Sequence, residues 1–455
     1  MASLLILLIL GAEFATSQVR IAAPVIHSTG WNSSFELSPA QLELGNLTAK
    51  DGKALNTIIN FDRSLLANGG AHEDDFYNVR DVPKDQWPTK PGKTIKLQNF
   101  TDLTPFALPP KTAMSRFVYS TTNANGTMIP ASAYILWPYQ AKKLKNGENA
   151  SASTVPVVLW THGTSGFYAN GAPSTHRSLF YENFVPFALA EAGYAVVAPD
   201  YAGLGVDTSW DGTHIPHQYF PGGAVGWRLS EILAKEKSEF DDVAKNYLGA
   251  ILVAPPTNII TQPPGYLLSW IGKDLDNIFP SFRLSEWLTP LGVKRTELLN
   301  QLEGSQMVTT YLFAQDEAVK RLDWRENWSV EAFEDLANPG NMTFRGPLLI
   351  FHGTADPVVQ YNTTDATVKE TCKKFPNNLE FVTVPGAGHF SAISAGKQTW
   401  LQWIDDRFQG HATKGGCVES TFESFWPEEY YQMDTNSFTL WAGVPQWQYE
   451  LPTAS

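Results

Sequence analysis

The chain has 455 residues, 43% of them hydrophobic, and a formal net charge of −13 at pH 7. That length exceeds what one hydrophobic core usually supports, so one large domain with insertions or appendages is expected. The acidic balance, without a long single-sign run, excludes nucleic acid and anionic membrane surfaces as partners, because both call for basic patches.

The first feature along the chain is Leu4-Leu-Ile-Leu-Leu-Ile-Leu10, followed by the small residues Ala15 and Ser17 at the −3 and −1 positions of a cleavage site. It reads as a signal peptide over residues 1–17. It is too short for a membrane span, which needs about 20 apolar residues, and Glu13 interrupts it. Eight N-x-S/T sequons, at Asn32, Asn46, Asn99, Asn125, Asn149, Asn327, Asn341 and Asn362, point the same way and predict surface positions. Residues 18–97 show no strong period and read as an N-terminal extension wrapped on the main domain.

Residues 98–257 and 343–412 read as one α/β core. Two extended runs near 113–137 flank Asn125-Gly126, a strong hairpin turn. Val155-Pro-Val-Val-Leu-Trp160 is a continuous apolar run of the kind shown by strands buried on both faces. A helix is expected over roughly 176–192, a buried strand over Tyr194–Pro199, a helix over 222–237 and another buried strand over Tyr247–Val253. This alternation indicates a mostly parallel, doubly wound sheet. Residues 258–342 break the pattern with Trp, Leu and Phe and helical stretches near 294–303 and 314–323. They read as a helical cap inserted between core strands. Strands at Pro347–His352 and Leu379–Val384 and a helix near 392–408 complete the core, and residues 413–455 form a tail without period. The two cysteines, Cys372 and Cys417, would pair in an oxidising compartment and tie the last core segment to that tail.

The chemistry concentrates at strand ends. Asp356 sits at the tip of the Pro347 strand, and His389 follows the next strand on a glycine-rich loop. That is the order of acid and histidine in a Ser/His/Asp hydrolase. His162-Gly163-Thr164 ends the most apolar run and precedes a helix, where such enzymes place the first oxyanion-hole amide. Thr164 or Ser165 would donate it. No pair of the other histidines has metal-site spacing.

These pieces resemble the secretory lipase family, a capped branch of the α/β-hydrolases. The matching motifs, in the right order over about 130–420, are Trp160-Thr-His-Gly-Thr164, Gly171-Ala-Pro-Ser174, Tyr194-Ala-Val-Val-Ala-Pro-Asp-Tyr-Ala-Gly-Leu-Gly205, Ala254-Pro-Pro-Thr257, His352-Gly-Thr-Ala-Asp356 and Gly388-His389. The resemblance implies a secreted serine carboxylester hydrolase (lipase or esterase) acting by acyl transfer on a small-molecule ester or lipid, with no cofactor or metal. It also implies Cys372–Cys417 pairing. Nothing in the sequence specifies an oligomeric state.

One departure stands out. The family's nucleophile lies in G-x-S-x-G between a strand and a helix, and no such pentapeptide occurs here. Aligning the glycines of Gly222-Gly-Ala-Val-Gly-Trp puts Phe220 at the nucleophile position. Pro221 then occupies the next one, where an oxyanion N–H is needed and proline has none. The stretch between Pro199 and Gly222 is too short for a crossover helix and a further strand, since the crossover alone takes a dozen residues or more. The expectation is therefore an α/β-hydrolase whose central nucleophile strand is deleted, with two unpaired edges or two flanks that close up. Ser165 and Ser230 lack the strand-to-helix setting that activates a nucleophile. The alternatives are a hydrolase gene represented without a skipped coding segment, or a non-catalytic binding protein that kept the hydrolase shell.

Overall fold

The structure is a computed structural model and describes residues 35–123, 126–144, 155–180, 184–206, 222–235, 240–258, 260, 265–313, 316–340, 342–422 and 424–425. The signal-peptide reading, the sequons at Asn32, Asn125, Asn149 and Asn341, and the elbow position Phe220-Pro221 lie outside these residues.

The region 35–97, read from sequence as lacking a period, opens with two helices, α1 (Pro39–Leu44) and α2 (Ala49–Ser64). Each starts on a reciprocal capping box, Ser38 with Gln41 and Thr48 with Asp51, which satisfies amides that the first turn leaves without intrahelical partners. Strand β1 (Thr94–Gln98) then joins β2 (Thr112–Thr122), so this region also contributes a strand to the main sheet. β2 and β3 (Met128–Pro138) form a long antiparallel hairpin, closed by the Gly126 amide donating to the Asn123 carbonyl at 3.0 Å.

Strand β4 spans only Val157–Leu159, and α3 spans Phe184–Glu191, later than the helix expected from residue 176. The segment before α3 instead turns at Pro173–Thr175 and carries Leu179 and Phe180 at positive φ, a conformation no α-helix accommodates. β5 (Ala195–Pro199) follows, then α4 (Gly222–Leu233), α5 (Asp241–Asn246) and β6 (Ala250–Val253).

Among the described residues five α-helices make the cap: α6 (Gly265–Ile278), α7 (Pro290–Leu302), α8 (Gln306–Leu312), α9 (Asp316–Val319) and α10 (Trp328–Ala337). Their own core is built on Trp270, Ile271, Phe282, Trp287 and Leu298, and it also takes in Leu55 and Ile59 of α2. Tyr311 donates to Asp51 at 3.0 Å, Ser305 to Asp62 at 2.5 Å and Arg295 to the Gly45 carbonyl at 3.0 Å. The first two helices thus pack on the cap, whereas Phe76, Tyr77 and Val79 further along the same region pack on the main sheet beside Val118.

The chain returns through β7 (Leu348–Gly353), α11 (Tyr361–Lys374), β8 (Leu379–Val384), α12 (His389–Ala395), α13 (Lys397–Phe408) and β9 (Cys417–Thr421). β9 pairs parallel with β8, so the aperiodic tail supplies an edge strand that sequence reading missed. β7 shows the period of two: Leu348 and Ile350 pack with Trp227 and Val368 on one face, Leu349 and Phe351 with Ile393 and Trp400 on the other.

Among the described residues the strands form two sheets. The first is five-stranded in the order β1-β2-β3-β5-β4, the second four-stranded in the order β6-β7-β8-β9. Among the described residues, β4 and β6 are edges, and no ladder joins them. This also corrects the burial expected for Val155–Trp160: Val157 and Leu159 are 55% and 51% exposed, and among the described residues β4 pairs with β5 alone. What spans the break is side-chain packing. Tyr134, Leu136 and Val196 of the first sheet share a core with Leu349, Phe351 and Val382 of the second, together with α12 and α13.

The Cys372–Cys417 disulfide ties α11 to β9 across 45 positions. Loop closure over that distance corresponds to about 4 kcal/mol of restriction on the unfolded chain. The Cys372→Ser/Cys417→Ser double variant should therefore lose about 2–4 kcal/mol in urea unfolding, with β9 amides losing hydrogen-exchange protection first.

Candidate active site

The two loops that carry Asp356 and His389 are braced against each other. The Ala355 amide donates to the Ala387 carbonyl at 3.1 Å, Thr354 N–H to the Val384 carbonyl at 3.1 Å, and the Gly386 amide to Thr354 Oγ1 at 2.9 Å. β7 and β8 are in register from Leu348↔Leu379 to Gly353↔Val384, so the turn after each strand emerges at the same end of the sheet.

His389 is the first residue of α12, with Gly388 as N-cap, so it sits at a helix start rather than wholly on a loop. Its Nδ1 lies 2.7 Å from Asp356 Oδ2. The other carboxylate oxygen accepts from the amides of Val358 at 2.8 Å and Val359 at 2.9 Å. His352 Nε2 stands 3.3 Å from Oδ2 and 3.0 Å from the Val359 carbonyl. The Asp356 side chain is fully buried, whereas that of His389 is 22% exposed. Burial alone would push the Asp356 carboxyl up, but the neighbouring His389 charge and the hydrogen bonds from His352, His389 and Val359 outweigh it. The group is held well below the usual carboxylate range.

The α4 N-terminus lies opposite. Thr161 Oγ1 donates to the Gly222 carbonyl at 3.0 Å. A Cβ on Gly222 would fall 2.1 Å from the Thr161 carbonyl oxygen, and one on Gly223 would fall 2.9 Å from Pro255 Cα. Only glycines let this helix start between the ends of β4 and β6. Glu231 anchors its far end by accepting from the Gly340 amide at 2.7 Å and from Arg228 at 2.8 Å.

A cavity of about 900 Å³ lies between these parts, and His389, Gly163, Thr164 and Gly222 share its wall. Ser165, paired with Thr164 in the sequence reading, is separated from them. Its hydroxyl is buried without a partner, and it lines a second cavity of about 380 Å³ with His176 and Asp62. Ser230 is fully buried in α4 and donates to the Trp227 carbonyl at 2.6 Å, which agrees with setting it aside as a nucleophile.

Supports of the Gly163 turn were missed at the sequence level. Tyr201, at positive φ, stacks on His162 at 4.1 Å and donates to its carbonyl at 2.8 Å. Asp200 is fully buried and accepts from Ser132 Oγ at 2.7 Å and from Ser174 Oγ at 2.5 Å and N–H at 2.9 Å. The Pro199-Asp-Tyr run directly after a buried strand was the available signal. Of the described sequons, Asn46, Asn99 and Asn362 are exposed. Asn327 is half-buried and caps α10, its amide nitrogen 2.5 Å from Glu286.

Strands alternating with helices and an inserted helical segment make up an α/β-hydrolase fold, with the Asp356–His389 pair at successive strand ends. The fold is similar to that of Candida antarctica lipase A in its closed state, at TM-score 0.54 and 18% identity over 76% of this chain and 88% of that one. Residues 328–416 match the Secretory lipase family model. Lipase 10 of Candida albicans is 35% identical over 71 residues, and Lipase 5 of the same organism is 23% identical over 283 residues. The matched part spans 15% of Lipase 10 and 59% of Lipase 5, and 16% and 52% of this chain.

The Asp356 carboxylate binds its proton less readily folded than unfolded, so its contribution to stability is present above about pH 4 and fades as pH falls further. The gap in urea-unfolding free energy between the parent and Asp356→Asn should accordingly narrow from pH 6 to pH 2. A constant gap would mean that the carboxylate's charge contributes nothing to folding.

Proposed function

We propose that the protein is a secreted carboxylester hydrolase of the secretory lipase type, with Asp356 and His389 as the acid and base of an acyl-transfer triad. The observation that carries this reading is the 2.7 Å contact between Asp356 Oδ2 and His389 Nδ1 on the wall of a cavity shared with Thr164 and the α4 N-terminus. With Nδ1 directed at the carboxylate, Nε2 is the nitrogen that takes a proton from a serine and returns it to the leaving alcohol. The Thr164 amide, next to that wall, is the oxyanion donor. No cofactor enters the scheme. Leu267 and Met307 of the cap also face the cavity and suit an apolar acyl group.

The nucleophile is the part this sequence does not supply. The α4 start is in position, but Phe220 and Pro221 precede it where a serine and an amide donor belong. Removing a triad nucleophile costs on the order of 10⁶ in kcat. The decisive experiment is to sequence the natural transcript across the codons for Phe220 and Pro221. We expect an in-frame insert encoding G-x-S-x-G. The inserted form should hydrolyse p-nitrophenyl esters at least about 10³-fold faster than the 455-residue chain and react with a fluorophosphonate probe. An uninterrupted transcript would overturn the hydrolase reading in favour of a secreted binding protein. The open apolar cavity is the observation that favours this second reading.

A further inference from the structure

We infer that His352 is a positioning residue for the Asp356–His389 pair: it donates its Nε2–H to the carboxylate from the sheet face opposite His389 and so tempers the pull of Asp356 on the His389 proton. Its bearing on acyl transfer rests on the hydrolase reading, whereas the hydrogen bond itself does not.

The strand frames the question. β7 reads Leu348-Leu-Ile-Phe-His352-Gly353 and is buried throughout, so His352 is the one ionisable side chain in an otherwise apolar run. Alternation puts it on the face of Leu348 and Ile350, where the Tyr361 ring of α11 meets it edge-on at 5.6 Å and 78°. Tyr361 is itself fixed, its hydroxyl 2.8 Å from Thr383 Oγ1 and its ring stacked on Phe381 at 5.8 Å. Leu349 and Phe351 face α12, the helix that begins with His389. The carboxylate is therefore approached by one imidazole from each face of the second sheet.

The two ring nitrogens define the role. Nε2 lies 3.0 Å from the Val359 carbonyl and 3.3 Å from Asp356 Oδ2, both acceptors. Nδ1 is buried and meets no partner among the described residues. A proton on Nδ1 would go unanswered, whereas one on Nε2 is shared by two oxygens, so Nε2 is the donor. At a fully buried strand position an apolar side chain would fill the space without leaving a nitrogen unsatisfied. The imidazole offsets that cost through its Nε2–H, which packing alone does not require. Asp356 Oδ1 accepts the Val358 and Val359 amides while Oδ2 faces both imidazoles, so each carboxylate oxygen has two donors. Val359 is tied through its amide by Asp356 and through its carbonyl by His352, which closes the turn around the carboxylate. The positive end of the His352 N–H dipole points at Oδ2 and disfavours positive charge on the neighbouring His389. His389 then releases its proton more readily than it would beside a carboxylate it did not share.

Long-range nitrogen–proton correlation NMR of the imidazoles in the purified full chain gives two readouts. In the parent, His352 should carry its proton on Nε2 and none on Nδ1, and the opposite tautomer would overturn the inference. His352→Phe keeps a ring against Tyr361 and removes the donor, and it should raise the His389 titration midpoint by at least about 0.5 pH unit. His352→Gln, whose side-chain amide can donate toward the same two oxygens, should reverse most of that rise. A midpoint that stays put in His352→Phe, or that moves equally in both variants, would mean that His352 only fills its place in the strand. The tautomer is read in the parent, so the inference stands or falls there even where the Phe variant does not fold. Neither readout needs a nucleophile, so the result is independent of what the transcript encodes and of the fate of the hydrolase reading.

Discussion

A strand in the middle of a parallel sheet must have its backbone groups bonded on both sides, and this requirement organises the whole molecule. Among the described residues it is met by β2, β3, β5, β7 and β8, and it fails along the facing edges of β4 and β6. The short length of β4, the exposure of Val157 and Leu159, and the large apolar cavity follow from that one interruption. The elements around it hold their places by other means. α4 is seated by glycines at its start and by Glu231 at its end, and the cap has a hydrophobic core of its own.

The Asp356–His389 pair escapes the interruption because its supports all belong to the second sheet. β7 and β8 are paired over six residues each, and their end loops bond to one another. The carboxylate receives two amides from its own turn, so its orientation needs nothing from across the break. The pair is therefore geometrically sound on its own sheet, whatever stands beside β4 and β6. The geometry of an acid–base pair reports on its own sheet and says little about the completeness of the machine it serves.

Much of this was legible in the sequence where strands are long, apolar and bounded by glycine. Pro347–His352, Leu379–Val384 and Tyr194–Pro199 gave buried strands, and Asp356 and His389 stood at their ends. The absence of G-x-S-x-G was legible as well. Other features were hidden for physical reasons. β9 is a solvent-facing edge strand held by a disulfide and a parallel neighbour, so it carries no apolar signature. α2 has a weak apolar stripe because it covers only one flank of the cap, although its Thr48–Asp51 box was readable. Tyr201 and Asp200 act through tertiary contacts with His162, Ser132 and Ser174, so the Pro199-Asp-Tyr run marks a strand end without naming their partners.

The side-chain core that joins the two sheets has a thermal consequence. Tyr134, Leu136 and Val196 meet Leu349, Phe351 and Val382 through apolar contact, whereas within each sheet the strands are held by backbone hydrogen bonds. Apolar association weakens as water is cooled. The seam between the sheets is therefore the cold-labile part of the molecule, and chilling loosens it while both ladders remain intact.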